Sequence, residues 1–325
     1  MDAAHSVFDK SDVSTLNHRV FRPNKISRRE ALVLPLAGAV GAMASVPRAI
    51  RLGGPIFLKS QDPRELAREH RRLGYSAAYC PEASTSDAAR VRDIRTAFGT
   101  ENVVIAEVGA WNNMLDGDAE KRKNNLQYVV ERLALAEAVG ARCCVNIAGS
   151  FNPKLWDGPD PRNLSREFFE ATVANCRYVI DQVKPMRTKF TIEMMGWSLP
   201  DGPDSYLQLI RAVERPAFGV HVDICNIVNS PQRYYHNGEL ITETFHKLGH
   251  WIASCHAKDL APRNVHFAED VPGRGGIDYR AYLRNLASLP VDAPLMLEHL
   301  KTPAEYDEAR LYIRKVGAEC GLTFA

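Results

Sequence analysis

The chain has 325 residues, 45% of them hydrophobic and 25% charged, with a formal net charge of +2. That balance is typical of a globular protein able to bury a large core, and it excludes a disordered or fibrous chain. It also supplies no global basic field for nucleic acid.

Residues 1–26 are polar and aperiodic. Ser27-Arg28-Arg29-Glu30 then leads into an apolar run at 31–44 that ends in the small-x-small pattern Ala42-Met43-Ala44. Paired arginines, a short apolar region and a small-residue cleavage pattern predict a twin-arginine signal peptide. The run is too short to span a membrane comfortably and lacks the polar face of an amphipathic helix. We therefore read residues 1–50 as a leader that directs export to the periplasm and residues 51–325 as one domain. A cytoplasmic chain with a packed N-terminal helix is the alternative.

From residue 53 onward, apolar runs alternate with segments of helical period. The runs lie at 55–58, 76–80, 103–108, 142–148, 189–195, 218–225, 251–257 and 293–299. Between and after them, helices are expected at 64–73, 86–98, 120–140, 165–186, 204–214, 239–248, 279–288 and 303–320, with Gly140 a natural stop for the third. Strands alternating with helices imply right-handed βαβ units and a parallel sheet. Eight such units predict a single (β/α)8 TIM barrel. The first strand is not followed by GxGxxG, which argues against a dinucleotide-binding sheet. The seven cysteines form no CxxC pair, and those within strands read as reduced core thiols.

Barrel chemistry sits at the carboxyl ends of the strands, so polar residues late in a strand are the functional candidates. By that rule Glu107, Asn146, Glu193, His221, Asp223, His256, Lys258 and Glu298 face the active end. Glu193, Asp223, His256 and Glu298 are three carboxylates and one imidazole on four different strand ends, a donor set suited to one divalent ion such as Mn, Mg, Co or Zn. A carboxylate inside an apolar run must be paired, protonated or metal-bound, and a buried pair with an Arg or Lys inside the barrel is the competing explanation for each glutamate. His221 and Asp223 share a strand face by their i, i+2 spacing, as do His256 and Lys258. Substrate contacts are expected from His221, Lys258, Glu107, Asn146, Arg263, His266, Trp111 and Trp197. Each tryptophan follows a strand-end glutamate by four residues, where it can stack on a sugar ring or cap the barrel.

The order Glu193, His221-Val222-Asp223, His256-Ala257-Lys258-Asp259, Pro272-Gly273-Arg274-Gly275-Gly276-Ile277-Asp278 and Leu297-Glu298 resembles the sugar phosphate isomerase/epimerase family of xylose-isomerase-like barrels. That superfamily also holds the endonuclease IV-type nucleases. The resemblance implies a metal on Glu193, Asp223, His256 and Glu298, with Glu193 and Glu298 as the catalytic acid/base pair. Two departures stand out. Asn226 occupies the place where tagatose 3-epimerase-type enzymes carry a substrate-contacting His. Pro81-Glu82 and Glu107 stand where the nucleases carry zinc-binding histidines.

The expected function is a metal-dependent isomerase or epimerase of a small sugar or keto-sugar, working by proton abstraction through a metal-stabilised enediolate. The alternatives are a keto-sugar dehydratase or lyase, an endonuclease IV-like phosphodiesterase, and a non-catalytic sugar-binding barrel. The expected partner is a small sugar, without nucleic acid or a membrane span, and a homo-oligomer is left open.

Overall fold

The computed structural model describes residues 48–263 and 266–325, without the side chains of 262–267; the predicted signal segment lies outside the described residues. Eight parallel strands form a closed barrel: β1 (Leu52–Gly53), β2 (Ala77–Tyr79), β3 (Val104–Gly109), β4 (Cys143–Asn146), β5 (Lys189–Glu193), β6 (Phe218–Val222), β7 (Ile252–Ala257) and β10 (Leu295–Leu297). Their order around the barrel is β1-β10-β7-β6-β5-β4-β3-β2. The helices packed outside are α1 (Pro63–Arg72), α2 (Ala88–Thr100), α3 (Ala119–Val139), α4 (Arg166–Val183), α5 (Pro203–Val213), α8 (Asn237–Leu248), α9 (Tyr279–Ala287) and α10 (Pro303–Glu319). Two short turns of helix, α6 (Ile224–Ile227) and α7 (Pro231–Tyr235), precede α8. The TIM barrel expected from the sequence is the observed fold. No helix among the described residues is long and apolar enough to cross a membrane.

Local chemistry fixes the helix ends. Asp62, Asp118, Ser165 and Thr302 each precede a helix and accept a backbone N–H of its first turn. α3 stops where Gly140 takes a left-handed φ of 77°.

The first strand lies upstream of its predicted place at 55–58. Gly53 sits so close to its neighbours that a Cβ there would meet the Ala77 carbonyl oxygen and the Met296 sulfur, both at 2.6 Å. Beyond it Pro55 lacks the N–H a ladder needs, and Phe57 and Leu58 are exposed in the loop. The strand therefore ends before the apolar run that announced it.

Two register shifts interrupt the barrel ladders. β2 pairs Ala78 with Ile105 and then Tyr79 with Glu107, leaving Ala106 as an extra residue on β3. β6 pairs Val220 with Ile252 and then His221 with Ser254, leaving Ala253 as an extra residue on β7. A bulge re-aims the side chains around it. Ala106 joins a small inner cluster with Ala77 and Met296, and Glu107 beside it also turns inward.

An antiparallel hairpin of β8 (Asp259–Arg263) and β9 (His266–Asp270) stands apart from the barrel sheet. The Pro272–Asp278 segment folds back over its base. Asp259 secures that fold by accepting the backbone N–H of Leu260, Gly273 and Ile277 at 2.8–2.9 Å. A Cβ on Gly275 would meet Asp259 Oδ1 and the Leu260 carbonyl, both at 2.3 Å, so only glycine fits against that carboxylate. Gly275→Ala should lower the unfolding free energy by about 1–3 kcal/mol, the usual size of an overpacking strain, read from chemical denaturation midpoints.

Candidate metal centre

Four barrel elements bring the predicted ligands to one point. Glu193 is the last residue of β5, His256 lies near the end of β7, and Asp223 and Glu298 directly follow β6 and β10. Their donor atoms all lie within 4.8 Å of one another. His256 Nδ1 is 2.9 Å from Glu298 Oε2, 3.5 Å from Glu193 Oε1 and 3.7 Å from Asp223 Oδ2. Asp223 also caps α6, its Oδ1 accepting Asn226 N–H at 3.1 Å, which leaves Oδ2 turned toward the cluster.

Asp223 Oδ2, His256 Nδ1 and Glu298 Oε2 are buried and make no well-aligned hydrogen bond; the Lys258 ammonium, 2.9 Å and 3.0 Å from the two carboxylate oxygens, compensates part of their charge. A buried polar atom left unsatisfied costs about 1–3 kcal/mol, and more when charged. Three such atoms converging on one point, in a set of carboxylates plus one imidazole, fit a divalent cation. Glu193, Asp223, His256 and Glu298 are the residues that would hold it.

The electrostatics follow from this crowding. Burial opposes every charge in the cluster. Burial keeps Glu193 above the usual carboxylate range despite His256, whereas Lys258 and His256 hold Asp223 well below it. His256 and Lys258 also hold Glu298 down against its burial. Burial works against the His256 imidazolium, but Glu107 and Glu298 outweigh it and raise that group well above its ordinary value. Lys258 Nζ sits 2.9 Å from Asp223 Oδ2 and 3.0 Å from Glu298 Oε2, with Glu269 Oε1 at 3.2 Å and His299 Nδ1 at 3.3 Å.

A layer deeper in the barrel, Glu107 accepts hydrogen bonds from His221 Nε2 and His256 Nε2, each at 3.1 Å, and from Ser254 Oγ. Glu107 and His221, expected to touch substrate, are thus enclosed beneath the cluster with at most 1% of their surface exposed. Asn146 is likewise buried, its amide exchanging hydrogen bonds with the Asn112 backbone at 3.0 Å. It braces the loop after β3 and does not line the cavity.

Above the cluster opens a cavity of about 390 Å³. Glu193, Glu298, Lys258 and Asn226 reach its floor, and Trp111, Trp156 and Met195 line it above. Trp111 stands over the site, its ring 6.4 Å from that of His256. Trp197 is 65% exposed and does not line the cavity. The side chains of Arg263 and His266 lie outside the described residues. Larger hollows of about 540 and 860 Å³ lie against α8 and contain none of the cluster residues.

Sequence reasoning passed over several lining residues. Trp156 belongs to a long loop with no period to mark it. Glu269 arrives on the hairpin, which no expected strand covered. His299 adjoins Glu298 with a positive φ of 57° and hydrogen-bonds Glu269 Oε2 at 3.0 Å. Asn226, noted only as a departure, donates to Glu193 Oε1 at 2.9 Å and to the Met194 carbonyl at 3.1 Å, fixing the carboxylate of Glu193.

Fold and site together define a (β/α)8 barrel with an acidic, imidazole-bearing cluster at the carboxyl ends of its strands. The chain belongs to the xylose isomerase-like TIM barrel family, whose model matches residues 67–316. Solved structures with the same fold include a xylose isomerase-like TIM barrel protein from Mycobacterium smegmatis in complex with magnesium (19% identity, TM-score 0.57, 79% of this chain and 88% of that one). A 3-keto-D-glucoside 4-epimerase from E. coli matches at 14% identity and TM-score 0.60, over 82% and 99% of the two chains. A probable 3-DHS dehydratase involved in petrobactin synthesis, from Bacillus anthracis, matches at 14% identity and TM-score 0.59, over 82% and 97%. No curated protein matches in sequence.

Calorimetric titration of the purified chain with Mg²⁺, Mn²⁺, Co²⁺ and Zn²⁺ should give one site per chain for the preferred ion. Asp223→Asn should weaken it by more than about 100-fold, since loss of even an outer partner costs 10–100-fold.

Proposed function

We propose that the chain is a divalent-metal-dependent isomerase or epimerase of a small sugar or keto-sugar. The observation that carries this reading is the placement of Glu193 and Glu298 at one cavity floor, on strands separated in the barrel order by β6 and β7. Two carboxylates reaching one substrate from different strands are the equipment for moving a proton between faces or between adjacent carbons.

A divalent ion bound there would supply Lewis-acid polarisation of a substrate carbonyl. Glu193 or Glu298 takes the proton from the carbon beside that carbonyl, leaving an enediolate. The other glutamate returns a proton, to the opposite face in an epimerisation or to the next carbon in an isomerisation. Asn226 holds the Glu193 carboxylate in position throughout. Lys258 places an ammonium where negative charge develops on oxygen. Trp111 and Trp156 offer aromatic faces to a sugar ring, and a free or glycosidic sugar can stack there.

Structural likeness to the keto-glucoside epimerase supports a keto-sugar substrate. Likeness to the probable dehydratase supports elimination as the second reading, because loss of water also begins with proton abstraction beside a carbonyl. The test is incubation with divalent metal in D2O against free ketoses, keto-glycosides and dehydroshikimate-type acids, followed by proton NMR. Deuterium should enter next to the carbonyl without loss of water from the product. Glu193→Gln and Glu298→Gln should each slow exchange by about 10²–10⁴-fold. No exchange on any substrate sinks the isomerase reading, and a dehydrated product moves it to the lyase.

We also propose that the leader directs export by the twin-arginine route, which favours unphosphorylated sugars as substrates. Mass spectrometry of the mature chain should find an N-terminus just after Ala44. An intact residue 1 on the cellular protein would refute cleavage.

A further inference from the structure

We infer that Glu107 is the positioning residue of the metal centre: it fixes the ring orientation and tautomer of His256, so that Nδ1 faces the three carboxylates as a lone-pair donor. The inference rests on the metal centre and is independent of the reaction proposed at it.

An ionised carboxylate only accepts hydrogen bonds. Glu107 Oε1 accepts from Ser254 Oγ and His221 Nε2, and Oε2 accepts from His256 Nε2. Both Nε2 atoms must therefore carry their protons. A cation bound among the carboxylates would displace the proton they favour on His256 Nδ1, and the neutral ring, protonated at Nε2, then offers its lone pair at Nδ1. In His256 that atom is buried, lacks a hydrogen-bond partner, and lies 2.9 Å from Glu298 Oε2. The ring is held on two sides, by the Glu107 hydrogen bond and by His221, whose ring packs edge-on with centroids 4.2 Å apart.

The backbone is shaped for the same contact. Glu107 reaches from β3 to residues on β6 and β7, which are not its sheet neighbours. Its inward aim comes from the bulge at Ala106, and the meeting of His221 with Ser254 comes from the bulge at Ala253. Ser254 and His256 on β7 and Lys258 just after it are spaced by two and form successive layers: one holds Glu107, one faces the carboxylates, and one reaches the cavity. A buried glutamate serving packing alone would have an arginine or lysine as partner. Among the described residues, the hydrogen-bond partners of Glu107 are two histidines and a serine.

Two readouts test this, both on the full chain. The first is competition with a chromophoric chelator for Zn²⁺ and Mn²⁺. Glu107→Gln keeps the shape but sets an amide N–H against a ring N–H, so affinity should fall about 10–100-fold while the far-UV circular dichroism is unchanged. The second is long-range ¹H–¹⁵N spectroscopy of the Zn²⁺-loaded wild type with labelled histidine. It should place the His256 proton on Nε2 and the cation on Nδ1, and it decides the matter even if the variant does not fold. Ligation through Nε2, or a folded variant with wild-type affinity, would overturn the role of Glu107. A wild type that binds neither cation would overturn the centre as well. Neither readout depends on turnover.

Discussion

Buried charge organises this molecule. Glu107, Glu193 and Asp223 are buried at the carboxyl end of the closed barrel with Glu298 half-buried beside them, where an uncompensated carboxylate is costly. The compensation is arranged in layers along the barrel axis. Two histidines and a serine hydroxyl satisfy Glu107 at the bottom, His256 joins that layer to the next, and Lys258 lies among the oxygens nearest the cavity. Within the upper layer the donors are fewer than the acceptors, and the unmatched atoms all face one point. That mismatch, rather than any single residue, is what makes the cluster a candidate cation site.

Parallel pairing sets where such a layer can stand. Strands in a closed barrel present alternate residues inward, so a regular ladder would not turn Ala106 and Glu107 to the same side. The extra residues at Ala106 and Ala253 break that alternation on strands lying across the barrel from each other. The hairpin contributes separately. Its base is pinned by Asp259 against the turn at Gly275, and its far strand carries Glu269 toward Lys258 and His299.

Much of this was legible in the chain itself. Alternation of apolar runs with helical segments placed seven of the eight strands and all eight long helices, because continuous Val, Ile, Leu and Cys runs are what a doubly covered parallel strand requires. β1 was misplaced because the tight contact at Gly53, not hydrophobicity, defines it. The four strand-end donors could be read from position alone, and the structure brings them together. The placement of Glu107 and His221 could not, since lateness in a strand gives height along the barrel but not whether a side chain faces the cavity or the layer beneath. Trp156, Glu269 and His299 come from loops and a hairpin, where sequence carries no period to read.

The barrel's seam has a kinetic meaning. β1 closes the cylinder by pairing Leu52 with Leu295, and Ile50 bridges to Phe324 nearby. Neighbouring strands elsewhere in the barrel can pair as the chain emerges, but this junction joins segments from nearly opposite ends of the domain. Contacts of such long sequence separation form late and slow the search. The cluster shares that junction, because Glu298 directly follows β10, the barrel strand latest in the chain. During synthesis the first three ligands are therefore available before the fourth, and a complete centre signals a closed barrel.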